Sequence, residues 1–298
     1  MTAAPPKALA ALSFTILIWG VTFVFVRAFS LAAGPYDALV IRLVCAALFF
    51  AVILALGPGF AIKRRDLARL IAISLTGMLG YFAGTVIGFA YAPASAGTIV
   101  LATQPILIAL LAAATGNERL TMATIIGLAI SFAGTALLVW DDRLSLPHLA
   151  SSQLAVGLLL IFLAGASSAI FTIFSRQLIE TYGALKITGL ASLIIAVPML
   201  PFLDHGTLAV LASLDRNGLF SLLFLTFFGA TTSLFTWNYA VGQLKPSLLG
   251  ASLYIITPLS VAASWAMLGE QITYQILAAG AVIMIGVAVS QFRRGPAT

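Results

Sequence analysis

Residues 91–121 read YAPASAGTIVLATQPILIALLAAATGNERLT, and residues 239–273 read YAVGQLKPSLLGASLYIITPLSVAASWAMLGEQIT. The two stretches carry the same landmarks in the same order. Pro93 is followed twelve residues later by Pro105, then by Glu118-Arg119-Leu120-Thr121 and Gly134. Pro246 is followed twelve residues later by Pro258, then by Glu270-Gln271-Ile272-Thr273 and Gly286. The offset is 153 residues at the prolines and 152 from the glutamates onward, so a single residue is gained or lost in between. Upstream, Tyr91-Ala92 matches Tyr239-Ala240, and Arg27 matches Arg176, at slightly smaller offsets. Weak internal symmetry of this kind marks one structural unit used twice.

The composition says what solvent surrounds that unit. The chain of 298 residues is 61% hydrophobic and 8% charged, whereas soluble domains are roughly 45–50% apolar and about 25% charged. Fifteen Lys and Arg and nine Asp and Glu cannot coat a water-facing surface of this size. A soluble enzyme is thereby excluded, and so is disorder, which needs a chain poor in apolar residues. The net charge of +6 does not indicate nucleic acid, because the basic residues lie singly and in short loops rather than in one patch. Cys45 is the single cysteine, so no intramolecular disulfide and no multi-cysteine metal site can form. Its apolar surroundings read as those of a small buried hydrophobe.

A spanning helix takes about 20 mostly apolar residues. The apolar runs at 8–30, 36–57, 67–90, 95–115, 120–140, 153–176, 183–203, 217–241, 247–268 and 272–292 predict ten spans in an all-α membrane protein. The first run has only Lys7 before it and no small-residue cleavage site after it, so it reads as a retained helix rather than a signal peptide. The connections are short, which predicts sequential helices as antiparallel neighbours. With a cytoplasmic N-terminus, eleven basic residues fall on the cytoplasmic side: Lys7, Lys63, Arg64, Arg65, Arg69, Arg119, Arg176, Lys186, Lys245, Arg293 and Arg294. Arg27, Arg42, Arg143 and Arg216 fall on the other. The positive-inside rule then puts both termini in the cytoplasm of a bacterial inner membrane. Each half holds five spans, residues 1–142 and 153–298 joined by an external linker 143–152. Five is odd, so the second half enters the membrane the other way up. Inverted repeats of this kind are found in many secondary transporters, with the substrate site near the midplane between the halves.

The ordered set Trp19-Gly20, Arg42, Ser95–Pro105–Glu118 and Pro246–Pro258–Glu270 resembles the drug/metabolite transporter superfamily, EamA type, over essentially the whole chain. Trp237-Asn238, Ser252-Leu253-Tyr254 and Thr257-Pro258 make it most similar to YddG-type aromatic amino-acid exporters. Where Arg42 would recur in the second half the chain has Thr188, with Lys186 nearby. The resemblance implies export of small metabolites from the cytoplasm by alternating access. It also implies a cavity formed mainly by spans 1, 3, 4, 6, 8 and 9. Amino acids, aromatic or otherwise neutral, are the expected substrates; nucleotide sugars, other metabolites or lipids are the alternative for the same fold.

The candidate substrate-binding residues are the polar and aromatic groups at mid-depth: Trp19, Tyr81, Thr85, Thr103, Gln104, Ser168, Trp237, Asn238, Tyr254 and Thr257. Polar groups in a membrane core face the bundle interior and either pair there or line a pathway. The hydroxyls have a plain alternative, a bond to the carbonyl one turn back. The amides of Gln104 and Asn238 have more to satisfy and suit a zwitterionic head group, and the aromatic rings suit an apolar side chain. Pro105 and Pro258 are expected as symmetry-related kinks that free the carbonyls of Leu101 and Tyr254. They serve either as cavity-side hinges or as plain structural bends. Gly77, Gly80, Gly84 and Gly88 form a small-residue ladder for close helix packing.

Among the charged residues, Arg27 and Asp37 flank the first external loop and are expected to pair. Arg42 either snorkels outward, serves a structural or gating role, or attracts a carboxylate. Glu118 and Glu270 precede helices and read as N-terminal caps, where negative charge is favourable. No Asp or Glu sits at mid-membrane, His148 and His205 fall in external loops, and no Walker loop, HExxH motif or Ser-His-Asp arrangement occurs. The sequence thus predicts no enzyme, no catalytic residues, no metal and no cofactor. Its expected partners are a small-molecule substrate and membrane lipid, with no nucleic acid, and a monomer is compatible with the pattern.

Overall fold

Glycine and proline set the first corner. Helix α1 spans Pro6–Ala33 and α2 spans Pro35–Leu56, with Gly34 alone between them at φ 78°, ψ 148°. Only glycine takes that conformation freely, and Pro35 starts a helix where no N–H is needed. The second half repeats the device: α8 (Ser151–Tyr182) meets α9 (Ala184–Ala196) at Gly183, φ 85°, ψ 148°. The computed structural model describes residues 5–115, 122–139, 151–243, 252–253 and 255–291. Every element among these is helical.

The third rod of the first half is α3 (Arg64–Ile73), a π-helical segment Ser74–Leu79, and α4 (Gly80–Tyr91). Helices α5 (Ala94–Leu101), α6 (Gln104–Ala114) and α7 (Met122–Val139) complete that half. In the second half α9 tightens into a 3₁₀ segment, Val197–Phe202, before α10 (His205–Ser213). Next come α11 (Arg216–Phe224), a π-helical segment Leu225–Thr232 and α12 (Ser233–Gln243). Helices α13 (Ile256–Leu268) and α14 (Tyr274–Gln291) follow. Asp204 and Asp215 cap α10 and α11, accepting from the backbone N–H of Thr207 and Gly218.

Among the described residues, six helical stretches are long and apolar enough to cross a membrane: Pro6–Ala33, Pro35–Leu56, Arg64–Tyr91, Ser152–Tyr182, Ala184–Phe202 and Arg216–Trp237. The shorter apolar helices Ala94–Ile108, Ile125–Leu137, Ile256–Leu268 and Tyr274–Val289 lie in the runs read as spans four, five, nine and ten.

Sequential helices do meet, α1 with α2 and α8 with α9, and packing adds more extensive neighbours from further along the chain. The most extensive pairings are α7 with α14, α4 with α8, α1 with α12 and α13, and α2 with α9. All of these join the first half to the second. Short connections decide which helix ends meet, but small-residue faces decide which sides touch. The ladder Gly77, Gly80, Gly84 and Gly88 lies against α8. A Cβ on Gly84 would come within 2.6 Å of the Leu160 carbonyl and 2.8 Å of Ala164 Cβ. On Gly77 it would meet the Phe171 backbone, on Gly80 the Ser167 hydroxyl, and on Gly88 Ile161 and the Gly157 carbonyl. Gly134 and Gly286 allow the same close approach between α7 and α14.

Two charge expectations are corrected. Arg27 does not pair with Asp37; Asp37 instead accepts from the Thr207 hydroxyl at 2.6 Å. Glu270 does not cap the helix that follows it. Its carboxylate lies 3.1 Å from Arg27 Nε, and both side chains are buried, 6% and 9% exposed. The same carboxylate accepts from the N–H of Ala94 at 2.8 Å, the N–H of Ser95 at 3.0 Å and the Ser95 hydroxyl at 2.7 Å. Glu270 therefore caps α5 from the other half of the chain. Arg27 Nη1 also donates to the Phe89 carbonyl at 2.9 Å and to the Ala92 carbonyl. A buried ion pair holds only when its remaining donors and acceptors are met, and here they are met by the α4–α5 corner. Glu118 lies outside the described residues.

Two outcomes follow for thermal unfolding of the purified protein in detergent. Gly84→Val puts methyl groups into backbone and should cost about 1–3 kcal/mol, the usual range for overpacking. Glu270→Ala leaves the Arg27 charge buried and alone and should cost on the order of 3–5 kcal/mol. Glu270→Gln, still able to accept a hydrogen bond, should fall between. An unchanged Tm for Glu270→Ala would mean the clasp does not hold the halves.

Candidate functional site

Helix α1 faces α12 of the other half, and the polar groups of both gather at that contact. Trp19 and Trp237 stack with ring centroids 5.1 Å apart and planes tilted by 38°. The Trp19 indole N–H donates to the Ser233 hydroxyl at 2.9 Å. One turn back on α1, the hydroxyls of Thr15 and Thr236 meet at 2.7 Å. On the opposite flank of α1 the Ser260 hydroxyl donates to the Gly20 carbonyl at 2.6 Å. Gly20 allows this, because a Cβ there would come within 2.8 Å of Leu259. Two aromatic faces, ringed by hydroxyls, thus line the seam between halves.

Gln104 and Ser168 are brought together as well. Gln104 Nε2 donates to the Ser168 hydroxyl at 2.8 Å, tying α6 to α8. Tyr81 packs edge-on against Phe82 at 5.6 Å. Thr85 and Thr103 are buried, and their hydroxyls donate to carbonyls of their own helices, Tyr81 and Val100, each at 2.8 Å. These bonds use the hydroxyl donors and leave their oxygen lone pairs. Thr257 is buried on the first turn of α13. Asn238 lies on α12, but its side chain is outside the described residues, and so is Tyr254.

Both prolines stand just after an interruption in helical hydrogen bonding, and Ala102, Thr103 and Ile255 beside them keep a helical backbone conformation. The chain leaves α5 after Leu101, turns through Ala102 and Thr103, and restarts with Pro105 in the first turn of α6. Pro258 likewise stands in the first turn of α13, after a turn at Ile255.

Two openings lie beside this seam. A cleft of about 240 Å³ is bounded by α2, α9 and the Leu225–Thr232 to α12 rod, with Phe50, Thr188, Thr231, Leu234 and Tyr239 among its walls. An enclosed void of about 10 Å³, room for a single water, adjoins it and shares Phe50 and Leu234 with it. Arg42 lines that void. Its guanidinium lies over the Phe82 ring, 4.8 Å from the centroid. Among the described residues no three His, Cys, Asp or Glu side chains come together to hold a metal. The chemistry on offer is recognition: aromatic faces, hydroxyls, one amide and one guanidinium.

Ser233, Thr15, Thr236 and Ser260 were not singled out from the sequence. A signal was present. Thr15 and Trp19 are four apart, as are Ser233 and Trp237, so each pair lies on one helix face. The Arg27–Glu270 contact had no such signal, because 242 residues stand between the partners.

Comparison with known proteins agrees with this architecture. The model of the EamA-like transporter family matches twice, at residues 7–140 and 155–291. An uncharacterised transporter of Archaeoglobus fulgidus is 25% identical over 278 residues, covering 93% of this chain and 96% of the relative. A probable terminal-alkyne amino-acid exporter of Streptantibioticus cattleyicolor is 26% identical over 287 residues, 94% and 92% of the two chains. A solved crystal structure is similar in fold, with a TM-score of 0.60 over 95% of this chain and 96% of that one at 19% identity. With both halves of the sequence matched in turn, the chain belongs to the EamA-like transporter family.

Proposed function

We propose that this transporter exports amino acids, aromatic or otherwise neutral, or closely related small metabolites, from the cytoplasm by alternating access. In this reading ten spans form two inverted five-helix repeats, residues 1–142 and 153–298, in a bacterial inner membrane with both termini cytoplasmic. The observation that carries it is the Trp19–Trp237 pair, which joins α1 of one half to α12 of the other amid the hydroxyls of Thr15, Ser233 and Thr236. Stacked rings favour an apolar or aromatic side chain, and the hydroxyls and the Gln104 amide suit a polar head group. The shared backbone of Gly34 and Gly183, and the π-helical segments in the third rod of each half, support a repeated unit. The kinship with an amino-acid exporter supports the substrate class.

The movement follows from where the halves are fastened. On this topology the Arg27–Glu270 clasp closes the external end, holding the α4–α5 corner to the loop before α14. Rocking the halves opens that end only if the clasp releases, and the π-helical segments supply places where a rod yields without losing all its hydrogen bonds.

The test is counterflow of radiolabelled phenylalanine, leucine and uncharged control solutes in proteoliposomes. Phenylalanine or leucine should exchange and the controls should not. Trp237→Ala should lower the rate roughly 3- to 10-fold, the worth of one aromatic pair, and Gln104→Ala should lower it too. If no amino acid exchanges, or if both variants match the wild type, the export reading or its site fails respectively.

A further inference from the structure

Among the described residues two arginines are buried, and the fold treats them differently. Arg27 has Glu270 and two carbonyls. Arg42 is equally buried, 5% exposed, on the second turn of α2, about 10 Å along the helix from its external end at 1.5 Å per residue. Its Nη1 has no protein hydrogen-bond partner, and among the described residues no carboxylate lies within ion-pair distance. What it has is the Phe82 ring beneath it, 4.8 Å from the centroid. A ring face orients a guanidinium but leaves its N–H edge unspent. An unpaired charge at this depth is expensive and, where it persists, faces a cavity or a pathway.

Arg42 does face a cavity. The small void it lines is separated from the 240 Å³ cleft by Phe50 and Leu234, which belong to both. The rest of the void is apolar apart from Ser192, whose hydroxyl is bonded to the Thr188 carbonyl. A solute in the cleft that pushes Leu234 aside meets one guanidinium edge in a low-dielectric pocket.

We infer that Arg42 is the docking point for the carboxylate of the transported solute, reached from the cleft past Leu234. The inference rests on the transport reading for the solute, and adds which residue holds its carboxylate. A single guanidinium matches a single carboxylate in charge and in its two-pronged geometry. A phosphate dianion would leave charge uncompensated, because no second cation lines the void or the cleft among the described residues. The apolar walls receive the rest of the molecule. Thr188, which stands where the second half would carry the matching arginine, lines the cleft and leaves it neutral.

The experiment is thermal unfolding of the purified full-length protein with benzoate, phenylalanine, benzamide or inorganic phosphate. Benzoate and phenylalanine should raise Tm, whereas benzamide, which has the ring without the charge, and phosphate should not. Arg42→Gln should weaken the benzoate effect by 10-fold or more in apparent affinity. Arg42→Lys, which keeps the charge but loses the fork, should fall between. Leu234→Trp, which leaves Arg42 intact and fills the passage, should also abolish the benzoate shift and guards against a folding defect in the Arg42 variants. Equal shifts with benzoate and benzamide overturn the proposal, as does a larger shift with phosphate or a benzoate shift unchanged in Arg42→Gln. Amino-acid counterflow without an Arg42-dependent shift would sink this site and leave the transport reading standing. A benzoate shift without amino-acid exchange would do the reverse.

Discussion

In hydrocarbon a polar group has no water to fall back on, and each backbone N–H or C=O must find its partner within the protein. The fold is a set of answers to that demand. Long helices satisfy it by themselves, and the corners satisfy it with what little polarity the chain contains. At the α5–α6 break, the N–H and hydroxyl of Thr103 both donate to the Val100 carbonyl, while Ile106 and Leu107 donate to Thr103. The break is therefore sealed locally, and Pro105 can open a new helix without leaving donors stranded. The π-helical segments obey the same rule, since wider turns still pair N–H with C=O. Thr231 and Thr232 strengthen theirs with hydroxyl bonds to the Thr226 and Phe227 carbonyls.

The demand also explains how the halves adhere. Lipid tails are as apolar as leucine, so burial of leucine contributes little net attraction between helices, and close van der Waals contact must do the work. Gly77, Gly80, Gly84 and Gly88 let α4 and the segment before it approach α8 until backbone meets backbone. Gly134 and Gly286 do so for α7 and α14. Because these faces pair across the two halves, the repeats interleave rather than stand as separate bodies. The proposed movement between halves would slide along these glycine-lined contacts and release the buried Arg27–Glu270 pair that crosses them.

Much of this was legible residue by residue. The span positions followed from apolar runs, and Gly34 and Pro35 announced the first corner because their conformational limits are intrinsic. The glycine ladder was visible as spacing. In the site, Trp19 and Trp237 were both candidates as aromatic walls, and the structure brings them into contact. What misled was locality. Asp37 is ten residues from Arg27 and Glu270 is next to a helix start, yet the stabilising partners of Arg27 and Glu270 come from far along the chain. Thr85 and Thr103 donate their hydroxyls to nearby backbone carbonyls and keep only acceptor capacity.

The sequence by itself determined the solvent, the helical class and the twofold use of one unit, because those depend on composition, periodicity and landmarks repeated along the chain. It also determined that charges at depth would be few. Only the tertiary structure decided which of the buried arginines is neutralised. Arg27 meets a carboxylate from the far half because helix packing carries Glu270 to the start of α5. Arg42 is turned by the same packing onto the face of Phe82, next to a cleft, with an N–H edge left over. Both are arginines within apolar helices, and no local pattern separates them; the difference lies in what the other half of the chain places opposite each one.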